Sequence, residues 1–305
     1  MVAIALVAGV AVALHASASA SSAASDCTAQ DAGTIAFERI TFLGEESGSE
    51  VGDVWVVNAD GRGERNLTGG DRVRKEGNPA WSPDGRQIAF YSYRSGGGTF
   101  VMNRDGGRIR RLTAHFEGTP TWSPDGRRIA GSGNNSSTSS QARIGVVNAH
   151  GGSIRWVTPV GFEGIEPDWS RTGEIAFMHH TGWRDETLEV FAMSGDGGRL
   201  RRLTRDRSSD LSPAWSPDGR EIAYQSDSGI SIIKADGRGS RRLTRNPEDW
   251  SPAWSPDGGC IAFVRDGTIY IIDAEGGKPA KLMKRPQHGR YGALDLAPAW
   301  TARRQ

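Results

Sequence analysis

One short phrase recurs along the whole sequence at long intervals. It reads Trp-Ser-Pro-Asp-Gly in four intact copies and is looser in two others; the copies begin at Trp81, Trp122, Trp169, Trp215, Trp254 and Trp300. The successive Trp positions are 41, 47, 46, 39 and 46 residues apart. A phrase repeated at intervals of this length indicates a repeat architecture, with one supersecondary unit in each repeat.

The first full repeat shows how one unit is built. Residues 79–81 predict a short strand, and Pro-Asp-Gly at 83–85 predicts a turn, because Pro fixes φ, Asp bonds backbone amides and Gly accepts a positive φ. Alternation and β-branched or aromatic residues then predict strands at 87–91, 99–103 and 108–113. Four antiparallel strands make one blade of a β-propeller.

Five such units are complete, and a sixth is split between the two ends of the chain. Its innermost strand is predicted at 297–300, and its other three strands lie within 34–68. We therefore predict an all-β fold at residues 33–305: a six-bladed β-propeller of four-stranded antiparallel blades, its last blade closed by the N- and C-terminal strands. The looser copies at 169–173 and 300–301 are expected to keep the Trp, which packs between blades, and to lose the turn.

The first residues are typical of a leader for export. Residues 2–14 form an uninterrupted apolar run, too short to span a bilayer as a helix, and small residues follow it as in a cleavage site. We predict a signal peptide at 1–20, a linker at 21–32, no transmembrane segment in the mature chain, and a secreted or periplasmic location in the cell envelope. A lipoprotein anchored at Cys27 is the less favoured alternative, since Asp26 precedes it.

Export would place the two cysteines in an oxidising compartment. Cys27 and Cys260 are the only cysteines of the sequence. They either form a disulfide there or remain as two free thiols, and the sequence does not decide between the two.

The charge balance argues against a polyanionic partner. The net charge is +1, from 37 basic and 36 acidic residues, so no global field gathers nucleic acid, and we expect none as a partner. Arginine pairs at 110–111, 201–202 and 241–242 fall on predicted outermost strands. They either protect these strands from edge pairing or form a rim that binds polyanions weakly and in a salt-sensitive way.

The repeat resembles that of a known family. The residues Pro-Ala-Trp-Ser-Pro-Asp-Gly-Arg-Gln-Ile-Ala-Phe at 79–90, then Met-Asn-Arg-Asp-Gly-Gly at 102–107 and Arg-Leu-Thr at 111–113, resemble the WD40-like Asp-containing repeat of the TolB propeller family. The resemblance covers nearly the whole mature chain and implies a six-bladed propeller. Similar repeats also form propeller domains of dipeptidyl-peptidase-IV-like and tricorn-like proteases.

The same resemblance implies a function in the bacterial envelope. TolB itself works there as a protein-binding partner of a peptidoglycan-associated lipoprotein. TolB carries an α/β domain before its propeller, whereas only the leader and a short linker are expected at that place here. Contacts that TolB makes through that domain are therefore not carried over.

A carboxylate stands shortly before every Trp phrase. It lies five residues upstream of the Trp, or six in the longer third repeat: Glu76, Glu117, Glu163, Asp210, Asp249 and Asp295. We call these six the entrance carboxylates, because each stands where the chain enters an innermost strand. They would ring one mouth of the channel and bind a divalent cation or a basic segment of a partner. Alternatively, each accepts hydrogen bonds from its own loop and is structural.

The sequence nominates no catalytic residues and no other cofactor. It has no Gly-x-Ser-x-Gly elbow, and the adjacent pair His179 and His180 would point to opposite faces of a strand. We therefore predict a monomeric binding or scaffold module for a protein partner in the cell envelope or outside it. The alternatives are a propeller enzyme, lyase or hydrolase, with a site at the channel mouth, and a carbohydrate-binding module with Trp183 and Trp250 as stacking platforms.

Overall fold

The computed structural model describes residue 27 and residues 33–42, 50–69, 75–134, 142–181, 187–283 and 293–301. The predicted signal peptide and all of the predicted linker except Cys27 lie outside the described residues. In these ranges we find no helix with the length and apolar character needed to cross a membrane.

Six four-stranded antiparallel sheets form the fold, which confirms the predicted propeller. We name the blades I (β4–β7), II (β8–β11), III (β12–β15), IV (β16–β19), V (β20–β23) and the closing blade (β24, β1–β3). In chain order the strands are β1 (Thr34–Phe42), β2 (Glu50–Asn58), β3 (Arg65–Asn66), β4 (Glu76–Trp81), β5 (Gln87–Ser92), β6 (Thr99–Asn103), β7 (Arg110–Thr113), β8 (Thr121–Trp122), β9 (Arg128–Gly133), β10 (Arg143–Asn148), β11 (Arg155–Trp156), β12 (Ile165–Trp169), β13 (Glu174–His180), β14 (Leu188–Ser194), β15 (Arg201–Arg202), β16 (Leu211–Trp215), β17 (Glu221–Ser226), β18 (Gly229–Lys234), β19 (Arg241–Arg242), β20 (Trp250–Trp254), β21 (Cys260–Arg265), β22 (Thr268–Asp273), β23 (Ala280–Lys281) and β24 (Ala293–Thr301).

The two ends of the chain close the ring as predicted. Strand β24 supplies the innermost strand of the closing blade and pairs antiparallel with β1, with Thr34 opposite Thr301 and Arg39 opposite Asp295. Strands β2 and β3 complete the sheet. Pairing the ends in one sheet leaves no blade with an unpaired flank.

The Trp-Ser-Pro-Asp-Gly phrase forms a tight turn held by its Ser and Asp. In blade I, Ser82 Oγ donates to Asp84 Oδ1 at 2.7 Å and accepts from the Gln87 amide at 2.9 Å. Gly85 takes φ 64°, a left-handed value that glycine adopts without a steric penalty. The turn is thus fixed by side-chain bonds as well as by its backbone.

Blade III keeps this turn, so the expectation that its looser copy loses it is wrong. The Gly173 amide donates to the Ser170 carbonyl at 3.1 Å, as the corresponding glycines do in the intact copies. The hydroxyl groups of Ser170 and Thr172 lie 2.8 Å apart, so Thr172 takes the place of the aspartate. A short hydroxyl side chain can replace Asp here because both hydrogen-bond the Ser hydroxyl two residues earlier.

The repeated Trp residues pack between blades, as predicted. Trp122 of blade II packs against Ala89 and Val101 of blade I, and its Nε1 donates to the Ala80 carbonyl at 3.1 Å. Trp254 of blade V donates in the same way to a blade IV carbonyl at 3.0 Å. Trp122 and Trp254 thus bury a large apolar surface and also satisfy their one polar atom across the blade interface.

The arginine pairs lie on outermost strands and tie neighbouring blades together. The first arginine of each pair donates to a backbone carbonyl of the next blade: Arg110 to Ala149, Arg201 to Ala235 and Arg241 to Ala274. These bonds favour a structural role. Polyanion binding by this rim stays a prediction.

A disulfide joins Cys27 to Cys260, which resolves the alternative that the sequence left undecided. Cys260 begins β21 in blade V, and Cys27 packs against the cluster that contains Ile35 and Phe37 of the closing blade. The bond therefore fastens the chain just before β1 to the neighbouring blade.

Candidate functional site: the central channel

The innermost strands of the six blades surround a central channel. Each of these strands, with the residues that lead into it, carries the phrase X-Pro-X-Trp, at 78–81, 119–122, 166–169, 212–215, 251–254 and 297–300. The phrases of all six blades line one cavity of about 730 Å³. That volume lies within the usual range of ligand pockets.

The Pro of this phrase bends the strand and turns the preceding residue into the channel. In five blades the residue before Pro has a positive φ of 47–52°: Asn78, Glu166, Ser212, Ser251 and Ala297. The strand register shifts at the same place, as in a β-bulge. Pro is tolerated because the innermost strand is an edge strand, so a missing N–H breaks no ladder bond.

Only blade III carries acidic residues in this phrase. Glu166 and Asp168 flank its Pro, whereas the five other copies have Asn, Thr, Ser or Ala at both places. Both side chains line the channel. The sequence-based prediction did not include these residues. The signal that could have found them is the departure of this one copy from the five others.

Asp168 connects its own innermost strand to those of the two neighbouring blades. Its Oδ2 accepts from the Trp215 amide of blade IV at 2.7 Å, and its Oδ1 accepts from Thr121 Oγ1 of blade II at 3.2 Å. Burial raises the pKa of Asp168 above its ordinary value, and these hydrogen bonds oppose the rise. Asp168 thus joins the innermost strands of three consecutive blades.

Glu166 is the acid better placed to receive a ligand. Ser212 Oγ of blade IV donates to Glu166 Oε2 at 2.8 Å. Burial raises the pKa of Glu166, and the bond from Ser212 lowers it. A carboxylate can accept about four hydrogen bonds, so Glu166 can bind a cationic group beside this serine.

The entrance carboxylates do not line the channel beside Glu166 and Asp168. Glu76, Asp210, Asp249 and Asp295 are buried, Glu163 is half-buried and Glu117 is exposed. None of the six lines the 730 Å³ cavity. Their predicted binding role stays a prediction, and it has to be considered apart from the channel.

Three buried entrance carboxylates hold an arginine of their own blade. In blade V, Arg265 donates from Nε to Asp249 Oδ1 at 2.5 Å and from Nη2 to Oδ2 at 2.8 Å. In blade I, Arg94 binds the Glu76 carboxylate through the same two nitrogens. In the closing blade, Arg39 Nε donates to Asp295 Oδ1 at 2.5 Å. These ion pairs support the structural alternative, with arginine rather than loop amides as the donor.

In blade III the partner is histidine. Glu163 Oε2 lies 3.5 Å from His180 Nε2, and the Glu163 carbonyl lies 2.9 Å from His179 Nδ1. The His179 ring stacks on Phe162 with 3.7 Å between centroids. The two histidines therefore serve different neighbours, as expected for adjacent residues of a strand.

Asp210 of blade IV differs from the other buried entrance carboxylates. It is 0% exposed, and neither carboxylate oxygen has a hydrogen-bond partner in the part of the chain that the structure describes. Burial raises its pKa to about 7, the nearby Thr204 hydroxyl lowers it, and Asp206, Glu189 and Asp227 add to the rise. Asp210 is thus a buried acid with acidic neighbours, and no arginine among the described residues donates to it.

Asp210→Asn is expected to stabilise the protein at pH 8 by about 2 kcal/mol and to leave it nearly unchanged at pH 4. The pKa of about 7 lies above the ordinary value of 3.8, so the folded state holds a proton that the unfolded state releases. Stability is therefore lost as the pH rises from about 4 to 7. Urea denaturation at both pH values measures the effect, and equal gains at both would contradict it.

Among the described residues, no group of three or more His, Cys, Asp or Glu side chains is placed to hold a metal ion. Of the two proposed stacking platforms, Trp250 lines the channel. Trp183 lies outside the described residues.

Comparison with known proteins identifies the family. The family described as "TolB beta propeller domain" matches residues 38–181 and 118–231, which together span more than half of the chain. The chain belongs to this family. The TolB-like resemblance read from the repeats is thereby confirmed.

Individual TolB-type proteins match parts of the chain. A TolB homolog from Chlorobium luteolum is 30% identical over 149 residues, which make up 48% of this chain and 23% of that protein. This chain therefore matches less than a quarter of that curated relative's length. This partial match does not transfer the activity or the partners of the whole relative to this chain.

Solved structures share the propeller fold. TolB from Acinetobacter baumannii superposes with a TM-score of 0.70 at 19% identity, over 89% of this chain and 67% of that one. An oligogalacturonate lyase from Vibrio parahaemolyticus gives 0.54 at 16% identity, over 77% of this chain and 72% of that one. At such identities the likeness shows the fold alone, because one fold hosts many functions.

Proposed function

We propose that this chain is an exported TolB-like propeller that binds a segment of a protein partner in the cell envelope, and that the segment enters the central channel. Three features support the proposal: membership of the TolB propeller family, the leader-like start of the sequence, and the channel through the ring of blades. The channel is a concave site on a rigid scaffold, as binding sites commonly are.

The observation that carries the proposal is the acidic wall of blade III. Glu166 and Asp168 stand in a channel that is otherwise lined mainly by Pro, Ala, Ser, Thr and Trp. Arg171 also lines this channel. Asp168 has amide and hydroxyl donors from two neighbouring blades, so Glu166 is the acid that meets a ligand. Its partner would be a lysine or arginine of the bound segment, since a buried charge requires a counter-charge.

A photo-cross-linking amino acid at Thr119 is expected to capture the partner in cells. Thr119 lies on the channel wall, and its backbone is outside the left-handed region that its counterparts occupy. The same amino acid at Glu248, which is exposed and does not line the channel, is the matched control. Equal capture of the same protein from both positions would contradict binding in the channel.

Glu166→Gln is expected to weaken binding of the cross-linked segment about tenfold, because a charge-assisted bond to its basic residue becomes a neutral one. Calorimetry with a synthetic peptide of that segment measures the change. Glu248→Gln removes the same charge outside the channel and is expected to leave the affinity unchanged. Equal affinities for Glu166→Gln and the unaltered protein would contradict the proposed role of Glu166 in binding the segment.

A further inference from the structure

The entrance carboxylates of blades I and V and of the closing blade each accept a hydrogen bond from the Nε of an arginine. Arg94 and Arg265 both approach through Nε and Nη2, and Arg39 through Nε. In two of these blades the arginine stands two residues after a buried phenylalanine of the second strand. A guanidinium at this place is thus a repeated element of the fold.

Blade IV has the carboxylate but not the arginine. Its counterpart of Arg265 is Ser226, two residues after Tyr224 on the second strand. Ser226 Oγ donates to the Gly229 carbonyl at 2.9 Å. Asp210 is nevertheless fully buried, and neither of its oxygens has a hydrogen-bond partner among the described residues. In the same part of the chain, no arginine fills this place in blade IV.

Within the described ranges, one arginine binds an acid beside Asp210, and its hydrogen bonds go to other groups. Arg202 donates to Glu189 at 2.5 Å and to the Thr204 carbonyl at 2.7 Å, while Thr204 Oγ1 donates to Glu189 Oε2 at 2.7 Å. Asp206 and Asp227 also act on Asp210 electrostatically, and both are exposed. The junction of blades III and IV therefore attracts a further positive group.

The surroundings favour an organic cation over a metal ion. A dedicated metal site needs several convergent ligands, and no group of three metal-binding side chains occurs among the described residues. The arginines at the equivalent places of blades I and V are 18% and 20% exposed, so the guanidinium position borders the surface there. In blade IV the corresponding Ser226 is half-buried, so an external guanidinium is expected to approach Asp210 from the same side.

We propose that Asp210 forms a binding site for a guanidinium group supplied from outside the propeller, at the position that an arginine side chain fills in blades I and V and in the closing blade. This site is separate from the channel, whose lining does not include Asp210. The guanidinium belongs to a free small molecule or to an arginine of a bound protein. It takes the place of the arginine that pairs with the entrance carboxylate in those three blades.

Calorimetric or NMR titration with N-acetyl-arginine amide at pH 8 tests this site. We expect saturable binding to the unaltered protein, at least tenfold weaker binding to Asp210→Asn, and the same loss in Ser226→Arg, which supplies the guanidinium from within. N-acetyl-lysine amide and calcium chloride are the comparison probes. Thermal unfolding of each variant confirms that it is folded.

The outcomes separate the proposal from its competitors. Equal binding of the arginine probe to Asp210→Asn, or calcium binding that depends on Asp210 without arginine binding, would overturn it. A pentapeptide with a central arginine that binds at least as tightly as the amide assigns the site to a partner's side chain, whereas preference for the amide assigns it to a small molecule. Failure of cross-linking in the channel leaves these results unaffected.

Discussion

Replacing Cys27 and Cys260 together by alanine is expected to lower the free energy of unfolding by about 4 kcal/mol. The two cysteines are 233 residues apart in sequence, so their bond removes a large part of the conformational freedom of the unfolded chain. It also holds the chain before β1 against the cluster shared by blade V and the closing blade. Stability and ring closure are therefore linked in this one bond.

Guanidinium chloride denaturation with and without reductant measures this contribution. The unaltered protein should lose stability in reductant, and the double alanine variant should show no such dependence because it has no other cysteine. Cys27→Ala alone controls for the small cavity at Cys260, which is 2% exposed. A loss below about 1 kcal/mol would show that the strand pairing of β1 with β24 suffices to restrain the chain.

The architecture was readable from the sequence because its repeat is carried by residues with fixed structural tasks. The Trp spacing predicts the blades, and Pro-Asp-Gly predicts the turns. The third strand predicted for the first repeat, 99–103, matches the observed β6 residue for residue. Thr172 shows the limit of such reading: it preserves the turn through a hydroxyl group, although the sequence phrase is lost there.

The channel wall was harder to predict because its orientation depends on a bulge. A residue before Pro normally avoids helical backbone angles and extends the chain. Glu166 instead takes φ 49° at a register shift, which turns its side chain toward the channel. No local rule gives that direction, since it arises from packing six strands around one axis. The acids that recur in every blade are the more visible pattern, yet they do not line this cavity.

The entrance carboxylates show a second limit of the sequence. The sequence finds these acids by their spacing from the Trp, but their partners come from different places: Arg265 ends the second strand of blade V, whereas Arg94 lies in the short 3₁₀ turn Arg94–Gly96 after β5. Such partners are not in register along the sequence. For this reason the repeat alone indicates neither which acids are paired nor that Asp210 lacks a partner.

Asp295→Ala is expected to lower the free energy of unfolding by about 3–5 kcal/mol. Both side chains of the Arg39–Asp295 pair are 0% exposed, and the pair joins β1 to β24 at the point of ring closure. Removal of the carboxylate leaves a buried guanidinium with Glu64 as its remaining salt-bridge partner and the Trp55 ring 4.6 Å away. A buried charge that loses its buried partner costs more than the lost attraction itself, and Glu64, which is partly exposed, compensates for only part of it.

Asp249→Ala provides the matched comparison, because its partner Arg265 is 20% exposed and can regain water. Its expected cost is about 1–2 kcal/mol. Urea denaturation of both variants, and of Arg39→Met with Asp295→Leu, separates burial from closure. The apolar double variant should recover much of the loss, since it leaves no buried charge. If Asp295→Ala costs no more than Asp249→Ala, the closing pair has no special weight, and strand pairing with the disulfide accounts for the closed ring.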